Sequence, residues 1–95
     1  MAALALPPAA NLPVAAELAA SLGRALDDAL RGGSGPVEID ASALQAVDTS
    51  TIALLLELGR RASAAGRELR VTGAPPKLAD LARLYGVHDL VLPAA

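Results

Sequence analysis

The sequence predicts an α/β domain, with short strands alternating with helices that pack on them. Three observations carry this. Two helix-length stretches, residues 13–31 and 48–66, repeat apolar side chains at the helical period. Residues 37–39 and 69–72 have strand length and place Val, Ile and Leu where a sheet would bury them. Glycine and proline clusters at 32–36 and 73–76 separate the two kinds of segment.

Residues 3–6 make one short strand, ended by Pro7 and Pro8, which cannot donate to a ladder. Asn11 offers a helix cap. From Pro13 to Arg31 the stripe Leu18, Leu22, Ala25, Leu26, Ala29 recurs at helical spacing, with Glu17, Arg24, Asp27 and Asp28 off it. Residues 32–36 stop this helix. Val37 to Ile39 is too apolar for a solvated hairpin arm and suits a buried strand flanked by helices. Asp40 closes it, and 41–47 is an irregular link anchored by Leu44 and Val47.

A central helix then opens on Asp48 and Thr49, whose side-chain oxygens suit the unpaired first-turn N–H groups. It ends at Ala65-Gly66, where glycine supplies a left-handed terminal residue. Residues 69–72 form another strand and Gly73-Ala74 turns the chain. Pro75-Pro76 starts a helix with Leu78, Leu81, Ala82 and Tyr85 as its apolar face, and Gly86 ends it. Residues 87–92 finish as a short strand or an ordered tail. Right-handed crossovers make successive strands parallel, so the turn before the central helix lies at the carboxyl edge of its strand. Functional loops of open α/β sheets concentrate there.

With 95 residues the chain is read as one domain spanning 1–95. Hydrophobic residues make up 54% and Tyr85 is the only aromatic, so the core is aliphatic and offers no stacking platform for single-stranded nucleic acid. A net charge of −2 and no basic run argue against a nucleic-acid partner. There is no cysteine, which rules out disulfides and thiol chemistry. Residues 1–8 are apolar but too short to span a bilayer and lack a basic leader region. The expectation is a cytoplasmic protein with no direct membrane insertion.

Catalytic constellations are sparse. His88 is the only histidine, and although Asp89 follows it, adjacent side chains usually diverge, so a surface or structural role is expected. Asp40 and Asp48 bracket the strand-to-helix link, and read more simply as an exit-turn aspartate and a helix cap than as a dyad. The Gly32-Gly33-Ser34-Gly35 run lacks the Lys and Ser/Thr of a phosphate cradle and precedes a strand, where a cradle precedes a helix. No cluster has metal-ligand spacing. No catalytic residue, metal or cofactor is expected.

Placed on a helical wheel, Ile52, Leu55, Leu56, Gly59 and Ala62 form a core stripe of the central helix, while Ser50, Glu57 and Arg61 fall opposite. Leu54 and Leu58 lie on the flank between. The reading that follows is an exposed, partly apolar docking strip of Ser50, Leu54, Glu57, Leu58 and Arg61. The alternative is that neighbouring elements simply cover both leucines.

Val37-Glu38-Ile39-Asp40, the run from Val47 through Asp48, Thr49, Ser50, Thr51 and Ile52 to Leu56, Leu69 to Gly73, and Leu81 to Val87 together resemble a STAS domain, and most nearly its MlaB-like branch. That resemblance implies a small mixed β-sheet with three to four helices and a binding role without catalysis. It also implies that the turn carrying Asp48, Thr49, Ser50 and Thr51 is the functional site. Two partner classes follow from it: the ATPase subunit of an Mla-type phospholipid-transport ABC complex, which would hold the protein at the inner membrane, or an anti-sigma factor kinase. In the second case Ser50 or Thr49 is the candidate phosphosite. Thr51 departs from the family, which usually places glycine there.

Overall fold

The computed structural model describes residues 2–91. Its elements run β1 (Ala2–Ala5), α1 (Ala15–Arg31), β2 (Val37–Asp40), α2 (Thr49–Ala64), β3 (Leu69–Thr72), α3 (Pro76–Leu84) and α4 (His88–Val91), with a 3-10 turn at Leu12–Val14 leading into α1. The strands form one sheet in the order β1-β2-β3, and both pairings are parallel. An antiparallel member of the mixed sheet that the family resemblance implies is not among the described residues.

Because the strand order follows the chain order, two successive right-handed crossovers put α1 and α2 on the same face of the sheet. Register and burial agree with this. Val37, Ile39 and Leu69 are buried on one face, with Leu4 and Val71 packed beside them. On the other face Asp40, Arg70 and Thr72 are exposed and Glu38 is half-buried. The strand expected to be buried and flanked by helices alternates instead, and among the described residues the helices cover one of its faces. Polar side chains, with Glu38 directly opposite Arg70 in the register, make the open face tolerable in water.

α2 packs against α1, α3 and α4 and is the hub of the helical layer. Its terminal turn closes at Gly66, whose φ of 73° is the left-handed conformation that glycine adopts without steric penalty. Arg67 N–H then reaches back to the Ala62 carbonyl at 2.8 Å. The Arg67 side chain gathers the end of α1: Nη1 donates to the carbonyls of Ala29 (3.2 Å), Leu30 (3.4 Å) and Gly33 (2.9 Å), and Nε donates to Gly35. A cation among the unpaired carbonyls of a helix C-terminus satisfies both their bonding and the helix dipole.

Three expected features differ. Asn11 makes no side-chain cap bond, and α1 begins at Ala15 behind the 3-10 turn. Residues 88–91 are helical, so the short strand expected over 87–92 does not form there; residue 92 lies outside the described residues. Tyr85 follows the last residue of α3, is no longer held on the helical wheel, and is 56% exposed.

Candidate functional site

The link from β2 to α2 is built by local polar bonds. The Asp40 carboxylate accepts the Ser42 N–H at 2.9 Å and turns the chain. Buried Leu44 and Val47 then pin the link to the core, as their spacing predicts. Its backbone pairs with the segment after β1: Gln45 and Ala46 N–H donate to the Pro8 carbonyl (2.7 and 2.9 Å), and Ala10 N–H donates to Ala46 (3.0 Å).

Asp48 is the N-cap of α2 and holds two segments at once. Oδ1 accepts the Ser50 N–H at 2.8 Å, and Oδ2 accepts the Leu12 N–H, 36 positions away, at 2.9 Å. Its own N–H donates to Thr51 Oγ1 at 3.2 Å, so Thr51 fills the place that Glu or Gln takes in the usual capping box. The Thr51 hydroxyl then donates to the Ala10 carbonyl at 2.8 Å. The Leu12 N–H holds the Asp48 carboxyl below its ordinary range; desolvation, the next effect in size, opposes it, and the smaller contributions of the Ser50 and Thr51 bonds lower it further. Asp40 is lowered too, by its bonds to Ser42. Asp40 and Asp48 are thus each committed to nearby donors and share no bond.

The site residues marked in the sequence divide into two groups. Thr49 is exposed and Ser50 half-buried. Thr51 is 0% exposed, Leu54 7% and Leu58 1%. The docking strip is therefore corrected. Leu54 and Leu58 face the flank that α1 occupies and belong to the core, together with Leu22 and Leu26 of α1. Arg61 is tied to α1 through Asp27 at 2.6 Å, and the guanidinium lies so close over Gly23 that a Cβ there would stand 2.8 Å from Nη1. Ser50 lines the same groove as Ala15, Ala16 and Ala19 of α1. Glu57 is exposed and paired with Arg60 at 2.7 Å, which lowers the Glu57 carboxyl and raises the Arg60 guanidinium. Exposed pairs of this kind contribute little.

The opposite flank stays open. Thr49 and Asp48 border a depression of about 440 Å³ with Lys77, Leu81 and Leu84 of α3. On its other side Thr49 shares a second depression with Ala53, Leu56 and Tyr85. Leu56, expected on the core stripe, is only half-buried here. Among the described residues the large exposed hydrophobics are Leu12 (70%), Leu84 (77%) and Tyr85 (56%), and all three border the Asp48–Thr49 turn. None of the three was marked as a site residue by sequence reasoning. Leu84 carried a signal, since it falls off the stripe that buries Leu78 and Ala82.

His88 Nδ1 stands 3.6 Å from Asp89 Oδ1, so this adjacent pair does converge, beyond hydrogen-bond distance. Asp89 lines a separate depression with Arg60, Ser63 and Gly66. Among the described residues no three His, Asp or Glu side chains converge as a metal site would require. No described helix is long and apolar enough to cross a membrane.

The three exposed apolar side chains and the hydroxyl-bearing, tightly capped turn belong to a small α/β domain with a three-stranded parallel sheet. The chain belongs to the STAS domain family: the family model described as MlaB, STAS domain matches residues 14–93. STAS domains are generally non-catalytic binding domains. No curated protein and no solved structure matches the chain.

Proposed function

We propose that this STAS domain is a non-catalytic subunit that docks on the ATPase of an Mla-type phospholipid-transport ABC complex and supports its assembly and activity. Through that partner it sits at the cytoplasmic face of the inner membrane. The observation that supports this reading is the exposure of Leu84 and Tyr85 beside Thr49, with the exposed Leu12 bonded through its N–H to the neighbouring Asp48. Burying a leucine or aromatic side chain contributes about 1.5–3 kcal/mol, so two or three anchors with a few polar bonds suffice for the centre of a modest interface.

Co-purification with the ATPase of an Mla-type ABC complex tests the reading. Leu84→Asp should abolish the complex while leaving the circular dichroism spectrum unchanged, because Leu84 is already exposed. Full retention of the complex in that variant rejects the surface. Leu54→Asp is not a clean probe, since Leu54 is part of the core and a buried carboxylate there would destabilise the domain.

A phosphorylation-switched partner of an anti-sigma factor kinase is the second reading, and the exposure of the Thr49 hydroxyl at the head of a 16-residue helix favours it. A phosphate there adds about −1.5 to −2 charge, which a helix N-terminus tolerates in the free protein and a docked interface does not. Of the three hydroxyls, Thr49 is the accessible one, Ser50 faces the α1 groove and Thr51 is sealed. Intact-mass measurement after incubation with the cognate kinase and ATP decides it; no mass gain eliminates the switch.

A further inference from the structure

We propose that Thr51 is a positioning residue which, with Asp48, locks the segment from Pro8 to Val14 against the head of α2 and so fixes Leu12 as a contact of the docking surface. The contact role rests on the docking reading above; the lock does not. Leu12 is 70% exposed, so little side-chain burial holds it in place. Up to Ala10 the segment is secured by backbone pairing with Gln45 and Ala46. Two side-chain bonds add to this: the Thr51 hydroxyl donates to the Ala10 carbonyl, and beyond Ala10 the Leu12 N–H donates to the Asp48 carboxylate.

The Thr51 hydroxyl is at the centre of this arrangement. It is fully buried, donates to Ala10 and accepts from Asp48, and thereby fixes both the segment and the cap that holds Leu12. A glycine at this place could make neither side-chain bond. Thr51 therefore does not meet the partner. It determines where another residue, a leucine 39 positions earlier, meets it.

Thr51→Val keeps the buried bulk and removes the hydroxyl, while Thr51→Ser restores it. Amide exchange on the free protein should run about tenfold faster at Leu12 and Asp48 in Thr51→Val, the effect of losing roughly one hydrogen bond. Ile39 and Leu55 should be unchanged, and Thr51→Ser should return both affected amides to wild-type protection. Unchanged protection at Leu12 overturns the lock, and equal loss at Ile39 and Leu55 reduces Thr51 to a general stabiliser and overturns it too. For binding, Leu12→Ala and Thr51→Val should each weaken ATPase affinity by up to about tenfold, and the double variant should be no weaker than the worse single one. Additive losses overturn the action through Leu12. A wild-type protein that binds no ATPase removes the docking reading and Leu12's contact role together, and the exchange measurement still decides the lock by itself.

Discussion

Both flanks of α2 carry apolar side chains, and they meet opposite fates. Toward α1, Leu54 and Leu58 are sealed; toward α3, Thr49 and Ala53 stay in water and Leu56 is only half covered, with Leu84 and Tyr85 exposed beside them. Helical periodicity reports that a flank is apolar. Which flank finds a neighbour is decided by the crossover that lays α1 alongside, and that is a long-range property of the chain. An interface therefore has to be sought where the packing stops, since apolar character is common to both sides.

The largest effect expected of this contrast lies on the sealed side. Leu58→Ala should lose about 2–5 kcal/mol, because truncating a fully buried leucine combines lost transfer energy with a cavity. For a domain of this size that lowers the melting temperature by about 10 °C or more, and an unchanged melting temperature would break the comparison. At the head of the helix, Asp48→Asn should flatten the acid limb of the stability profile. A carboxyl held below its ordinary value in the folded state stabilises fully above the unfolded value near 3.9 and loses that contribution as pH falls through the lower folded one. Chemical denaturation between pH 2 and 5, as an approximate window, reads the difference between variant and wild type.

On the open side the effect on folding should be small. Leu84→Ser should change stability by no more than about 0.5 kcal/mol, as surface substitutions do, and a larger loss in urea would show that Leu84 is packed after all. Gly23→Ala sharpens the sealed flank at low amplitude. The new methyl displaces the Arg61 guanidinium and weakens a partly exposed pair worth about 0.2–1 kcal/mol, while alanine gains up to about 1 kcal/mol in helix propensity. The denaturation midpoint should stay within the equivalent of about 0.5 kcal/mol.

Much of the architecture was legible because it is local. The breaks at 32–36 and 73–76, the buried pair Val37 and Ile39, the cap at Asp48 and the glycine that closes α2 each follow from neighbours within a few residues. What was not legible depends on partners far away in the chain. Arg67 meets carbonyls 38 positions earlier, Asp48 meets Leu12 36 positions earlier, and no periodicity encodes either bond. Thr51 shows how a single residue can mislead. In sequence it is one of three hydroxyls opening a helix, yet its side chain points inward and joins the N-terminal segment. The turn itself was marked from its hydroxyl and carboxyl residues, whereas the apolar side chains around it come from two distant segments, the 3-10 turn and the end of α3, that only the fold assembles.

The scarcity of aromatics has a practical consequence. Tyr85 is the chain's sole ultraviolet chromophore beyond the peptide bond, since Trp and Phe are absent, and it stands half in water beside Thr49. Unfolding should leave its emission nearly unmoved, because little solvent is gained, while a tyrosine-free ligand closing over it should change its intensity and near-ultraviolet dichroism. The molecule thus carries an unlabelled optical sensor whose silence during denaturation makes any response to an added protein a report on that one patch of surface.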